Sequence, residues 1–277
     1  MSSLSFGFSP CPNDTFILDA LIHQKIDTRG YQFDWVIEDV EYLNRKAIGG
    51  DITISKMSYA AFAQLTENFQ LIPYGSALGK GCGPLLISRN KITDLDQIKE
   101  ATVAIPGKHT TANMLLSLAY PDINKKSEML FSDIENAVIL GKTDLGLIIH
   151  ENRFTYQDKG LFKVRDLGDF WEESTGYSIP LGGFAIKRDL DHQIKTDISD
   201  LVKESVAYAF KYPESSADFV KTYAQEMDSH VINSHIKLYV NEFSIDLGSH
   251  GKASIEYLLE SAIKSGLTDK IFSPIFT

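Results

Sequence analysis

Short apolar runs with the alternation of a β-strand recur along the chain, each followed by a polar loop and then by a stretch of helical spacing. Leu4 to Phe8 reads as a strand. The loop Ser9-Pro-Cys-Pro-Asn-Asp-Thr15 follows, and helical spacing runs to about Gln24, with Asn13 or Asp14 placed to accept from the N–H groups at its start. Tyr31 to Ile37 alternates like a strand, and Val40 to Ile48 has helical spacing stopped by Gly49-Gly50. Ile52 to Ile54 is a short strand with Ser55-Lys-Met57 as its loop, and Ser58 is placed to cap a helix over Tyr59 to Leu65. Thr102 to Ile105 is a strand broken at Pro106-Gly107, and Lys108-His-Thr-Thr111 leads into a helix from about Ala112 to Ala119. Ser132-Asp-Ile-Glu135 matches a capping box and opens a helix that ends near Gly141. Leu145 to Ile149 reads as a buried strand ending at His150. Alternation of this kind predicts parallel β-α-β units.

Two glycine-led apolar strands, Gly83 to Ser88 and Gly182 to Lys187, bracket the middle third of the chain. Beyond Asp189 the spacing is helical over Ile194 to Tyr212, Ser215 to Gln225, Ser229 to Phe243 and Ser249 to Ser265. A chain that leaves one α/β lobe by one strand and returns by another predicts two lobes, a two-stranded hinge and a cleft between them. Lobe one is expected at residues 1–87 plus 187–277, and lobe two at 88–186. Closure of the two lobes, starting from Gly83 and Gly182-Gly183, would exclude water from the cleft.

Composition narrows the function classes. The 277 residues predict two domains or one large one, at roughly 150 residues per domain. With 43% hydrophobic and 23% charged residues, a wholly disordered chain is excluded. The 27 Lys and Arg stand against 37 Asp and Glu, a formal charge of −10, which leaves no basic footprint for nucleic acid or an anionic membrane. Cys11 and Cys82 lie too far apart for a C-x-x-C motif and are expected as reduced thiols, small buried fillers rather than nucleophiles. Pro10, Pro12 and Asp14 interrupt any apolar run near the start, so no signal peptide is expected. No stretch reaches the ~18 apolar residues of a membrane span, and a soluble cytoplasmic protein is the expectation.

Ligands of open α/β sheets bind beyond the carboxyl ends of the parallel strands. That rule selects Ser9 to Thr15, Ser55 to Ser58, Gly107 to Thr111 and His150 to Tyr156. Three of these lead into helix starts, where N–H groups and the helix dipole favour an anion. Lys56, Lys108 and Arg153 would add positive charge, so a small anionic molecule is the expected guest. Ser58, Thr110 and Thr111 read equally as helix caps, and Asn13 and Asp14 as turn residues. His150 stands apart, because an imidazole is awkward filler at the end of an apolar strand. His23, His192, His230, His235 and His250 read as surface, with His109 intermediate. Metal-ligand spacings, dinucleotide and P-loop glycine patterns and a nucleophile elbow are all missing, so neither metal nor cofactor is expected.

The same loops carry a resemblance. Ser9-Pro-Cys-Pro-Asn-Asp-Thr-Phe16, Lys56-Met-Ser-Tyr-Ala-Ala61, Gly79-Lys-Gly-Cys-Gly-Pro84, Pro106-Gly-Lys-His-Thr-Thr-Ala112 and Ile148-Ile-His-Glu-Asn-Arg-Phe-Thr-Tyr156 resemble the 1,4-dihydroxy-6-naphthoate synthases of the futalosine route to menaquinone. The likeness continues through Asp169-Phe-Trp-Glu-Glu173, Pro180-Leu-Gly-Gly183 and Tyr239-Val-Asn-Glu-Phe-Ser244. It implies a type 2 periplasmic-binding-protein-like fold. It also implies a cofactor-free lyase that converts cyclic dehypoxanthine futalosine into 1,4-dihydroxy-6-naphthoate and dihydroxyacetone. His150 corresponds to the general base of that family, and Ser55, Lys56, Met57, Ser58, Thr111 and Ala112 to substrate contacts. Asn13, Asp14 and Arg153 are added as binding candidates, with Lys56 or Arg153 able to pair with a substrate carboxylate. An imidazole, titrating near 6.5 in general, is a competent base at cellular pH. A non-enzymatic solute-binding protein of the same fold, and a chorismate dehydratase of the same pathway, remain alternatives.

Overall fold

In the computed structural model, which describes residues 3–92, 94–224 and 228–277, the chain builds one α/β unit over Met1–Gly79. It then builds a second over Lys80–Ile179 and returns to the first with Pro180–Thr277. The first unit opens with β1 (Leu4–Phe8), α1 (Pro12–Ile22), β2 (Phe33–Ile37), α2 (Val40–Ile48), β3 (Ile54–Ser58), α3 (Tyr59–Ala63), β4 (Phe69–Leu71) and β5 (Ala77–Gly79). The second holds β6 (Leu85–Ser88), β7 (Val103–Ile105), α4 (Thr111–Ala119), β8 (Lys126–Glu128), α5 (Ile134–Ile139), β9 (Leu145–Ile148), α6 (Asn152–Thr155), β10 (Phe162–Asp166) and α7 (Leu167–Thr175). The return brings β11 (Ile179–Lys187), α8 (His192–Lys211), α9 (Ala217–Tyr223), α10 (Ser229–Tyr239), α11 (Glu242–Ile245) and α12 (Gly248–Lys264). The expected helix end at Gln225 lies outside the described residues.

Each unit has its own sheet, and both sheets are mixed rather than purely parallel. In the first, the order is β2-β1-β3-β11-β4 with β5 also on β11. There β1 runs parallel to β2 and β3, while β11 is antiparallel to β3 and β4. In the second, the order is β10-β6-β9-β7-β8, with β7 parallel to β8 and β9, and β6 antiparallel to β9 and β10. Parallel neighbours need a helical crossover between them, and β6 and β11 enter their sheets without one.

That pairing also corrects the expected boundaries of 87/88 and 186/187. β6 is hydrogen-bonded on both sides within the second sheet, so residues 80–87 belong there. β11 pairs residue by residue with β3 from Gly182 to Ile186, so this strand belongs to the first unit. Gly182 and Gly183 therefore sit inside a strand instead of beginning one.

The cores follow from these layers. In the first unit Phe6, Phe8, Ile54, Phe184 and Ile186 of the sheet pack against Ile17, Leu18 and Leu21 of α1 and Ile198, Leu201, Val202 and Val206 of α8. Every residue of α1 from Pro12 to Leu21 is buried, which explains its weak amphipathic pattern: a helix covered all round has no solvent face. In the second unit Leu85, Ile87, Ala104 and Ile148 pack against Ile134 and Val138 of α5. Gly146 in β9 permits this, since a Cβ there would lie 2.7 Å from Ile134 Cγ2 and 2.8 Å from Val138 Cγ2. None of the helices, over the described residues, is long and apolar enough to cross a membrane.

Candidate active site

Because β1 and β3 are parallel, Ser9 to Asp14 and Ser58 fall at the same edge of the first sheet. There the helix α1 starts earlier than the sequence suggests. Pro12, which has no N–H to satisfy and a φ already set for a helix, takes the first position. Asn13 and Asp14 consequently lie inside the first turn rather than capping it. The Asp14 carboxylate, fully buried, collects four hydrogen bonds. Its Oδ2 accepts from Ser9 N (3.2 Å) and Ser9 Oγ (2.7 Å), and its Oδ1 from Asn13 Nδ2 (2.8 Å) and Lys56 Nζ (2.7 Å). Lys56 Nζ also donates to Gly75 O (3.1 Å) and stands 4.7 Å from the centre of the Phe184 ring.

Lys56 is 5% exposed and paired with Asp14, its Nζ 2.7 Å from the carboxylate. Ser55, Lys56 and Met57 are part of β3 instead of a loop, opposite Ala185, Phe184 and Gly183 of β11. Ser58 does not cap α3 either: its N–H donates to Asn44 Oδ1 (2.9 Å) and its Oγ accepts from Asn44 Nδ2 (3.2 Å). His235, expected at the surface, is fully buried in α10, with Nε2 3.0 Å from Asn13 Oδ1 and its ring 4.6 Å from that of Tyr239.

In the second unit β7 and β9 are parallel, which sets Pro106 to Thr111 and the His150 turn at one edge of that sheet. Gly107 has φ +148, a conformation glycine tolerates, and lets the chain turn into α4. Thr110 caps that helix as expected: its Oγ1 accepts from Asn113 N (3.2 Å) and donates to Gly107 O (2.8 Å). Thr111 and Ala112 follow at its buried start.

β9 ends at Ile148, two residues before His150. His150 itself is half-buried at φ +56, the left-handed region that few non-glycine residues hold, and its ring meets the Phe131 ring edge-on at 4.8 Å. The imidazole stands beyond the last residue of the strand, with its Nε2 buried. Arg153, like Lys56, is committed internally: Nη1 donates to Gly83 O and Nη2 to Asp166 Oδ2 (2.8 Å). It fastens the loop before β6 to the start of α7. Gly83 and Gly168 meet backbone to backbone there, since a Cβ on Gly83 would fall 2.2 Å from Gly168 N.

Neither cysteine is in a disulfide, and both are buried. Burial pushes the Cys82 thiol up to about 12, only partly offset by Arg153, so it stays protonated at neutral pH and is no nucleophile. Three residues escaped the sequence reading. Glu151, 4% exposed, has a carboxylate oxygen within 4.8 Å of a ring nitrogen of His150. Asn44 clamps Ser58. Glu135, read as half of a capping box, makes no cap, because α5 starts only at Ile134 and the side chain of Asp133 at its cap position makes no capping hydrogen bond.

Residues 4–264 match the family model described as menaquinone biosynthesis. The chain is 42% identical over 276 residues to the 1,4-dihydroxy-6-naphthoate synthase of Thermus thermophilus, covering 100% of both chains. It is 42% identical over 270 residues to the enzyme of that name from Streptomyces coelicolor, covering 96% of this chain and 94% of that one. A crystal structure of an Archaeoglobus fulgidus protein superposes with a TM-score of 0.90 at 33% identity, over 96% of this chain and 98% of that one. The alkanesulfonate-binding protein of Xanthomonas axonopodis pv. citri, bound to MOPS, superposes at 0.72 with 11% identity, over 100% and 98% of the two chains. That likeness shows the periplasmic-binding-protein fold alone. Matched over nearly its whole length, the chain belongs to the menaquinone-biosynthesis family of 1,4-dihydroxy-6-naphthoate synthases, which are lyases.

Proposed function

We propose that the chain cleaves cyclic dehypoxanthine futalosine to 1,4-dihydroxy-6-naphthoate and dihydroxyacetone, with His150 as the general base. The observation that carries this reading is the placement of His150. Its half-buried imidazole stands just beyond an apolar parallel strand, on a left-handed turn, beside the buried carboxylate of Glu151. The ring takes a proton from a substrate hydroxyl or activated carbon. The electron pair left by that proton breaks the carbon–carbon bond to the three-carbon fragment, which departs with the bonding pair and takes a proton back from the imidazolium, and aromatisation of the ring supplies driving force.

In the second unit Thr111 and the backbone N–H groups at the start of α4 act as donors to substrate oxygens, with Ala112 beside them; in the first unit Ser55, Met57 and Ser58 remain substrate-contact candidates on β3. Asn13, Asp14, Lys56 and Arg153 act as the frame that holds these groups. The anionic end of the substrate is then met by hydrogen-bond donors and a helix start rather than by an uncompensated cation. A cytoplasmic location is in keeping with two thiols outside any disulfide. Product analysis tests the reading: one dihydroxyacetone is expected for each naphthoate formed, and a different carbon fragment, or none, rejects it.

A further inference from the structure

The element that carries the base is braced by α5. Gly146 lets Ile134 and Val138 sit directly on β9, the strand that delivers the His150 turn. From the same helix Glu135, 2% exposed, reaches away from its own backbone. Its Oε2 accepts from Asn152 Nδ2 (2.5 Å) and from Lys159 Nζ (2.6 Å). Its Oε1 is buried with no hydrogen-bond partner among the described residues. One turn earlier Phe131 rests against the His150 ring. The short turn before α5 therefore touches residue 150, and Glu135 in α5 reaches residues 152 and 159, so together they pin both ends of the segment following β9.

Stability alone gives a weak reason for this carboxylate. Burying a charge is costly, and the Lys159 side chain that answers it is 47% exposed. Holding His150 is a stronger reason, because a non-glycine residue persists in a left-handed conformation only where its surroundings over-determine it. We propose that Glu135 is a positioning residue: through Asn152 it fixes the turn on which the imidazole stands. The inference rests on the reading of His150 as the base.

Steady-state kinetics of Asn152→Ala, Glu135→Ala, Glu135→Gln and His150→Ala test it. Asn152→Ala is the variant least able to unfold the chain, since its site is half-buried and helical, where alanine is favoured. It is expected to lose roughly ten- to a hundredfold in kcat with KM within about twofold, the signature of a displaced base. Glu135→Ala should lose the same, as the other end of one contact. Glu135→Gln keeps an acceptor for Asn152 and should retain most of kcat. Unchanged kcat in Asn152→Ala while His150→Ala is inactive would overturn the positioning role and leave the base standing. Losses shared equally between kcat and KM, or no recovery in Glu135→Gln, would mark general loosening and overturn it as well. Wild-type turnover in His150→Ala would overturn the base assignment and with it this role.

Discussion

Replacing His150 by alanine is expected to lower turnover by roughly 10²- to 10⁴-fold, the range that a positioned base contributes. The fold should hardly notice. The ring is half-buried and packs edge-on against Phe131, so its removal costs on the order of 1 kcal/mol. For a chain of this size that corresponds to a melting temperature lowered by about 2–4 °C. Substrate affinity, read by calorimetry on the inactive variant, should stay near that of the wild type, because the binding donors assigned above lie on other elements. Glu151 is the acceptor that could take over in part, and a small residual rate that disappears on adding Glu151→Gln would identify it. Full activity in His150→Ala would remove the imidazole from the mechanism.

The largest expected effect on stability lies in the first unit. Lys56→Met should cost about 3–5 kcal/mol, because it leaves the Asp14 carboxylate buried without its counter-charge. Ser9 and Asn13 would still donate to that carboxylate, but neutral donors do not replace an ammonium group at 2.7 Å. The loss can be read from the urea midpoint of unfolding. Adding Asp14→Asn to Lys56→Met removes both charges and should recover a large share of the loss, as it does for buried pairs replaced together. If Lys56→Met is as stable as the wild type, the pair contributes nothing to the fold, and Lys56 returns as a candidate for direct contact with substrate.

The sequence made some of this legible and hid the rest for physical reasons. Apolar runs bounded by strong breakers stood out: Leu4–Phe8, Val103–Ile105 and Leu145–Ile148 are strands, and Val40–Ile48 is a helix stopped by two glycines. Lys126–Glu128 and Phe162–Asp166 carry charged residues and form strands only because each pairs along an edge of the second sheet. The polar residues of the candidate site were legible as types and not as partners. A lysine within an apolar segment reads as a cation, and only the fold brings Asp14 to it across 42 positions. Glu135 fitted a local capping pattern so well that its distant use was masked. For His235 the sequence does carry a signal of burial, since Ile232, His235 and Tyr239 recur at helical spacing as one buried stripe of α10.

Purified protein given cyclic dehypoxanthine futalosine in one vessel, followed by naphthoate absorbance, and chorismate in another, followed by the loss of chorismate, measures the lyase assignment most directly. Naphthoate is expected to accumulate over many turnovers in the first vessel, with chorismate left intact in the second. Stoichiometric binding of the first compound without any product, or consumption of chorismate, would contradict it.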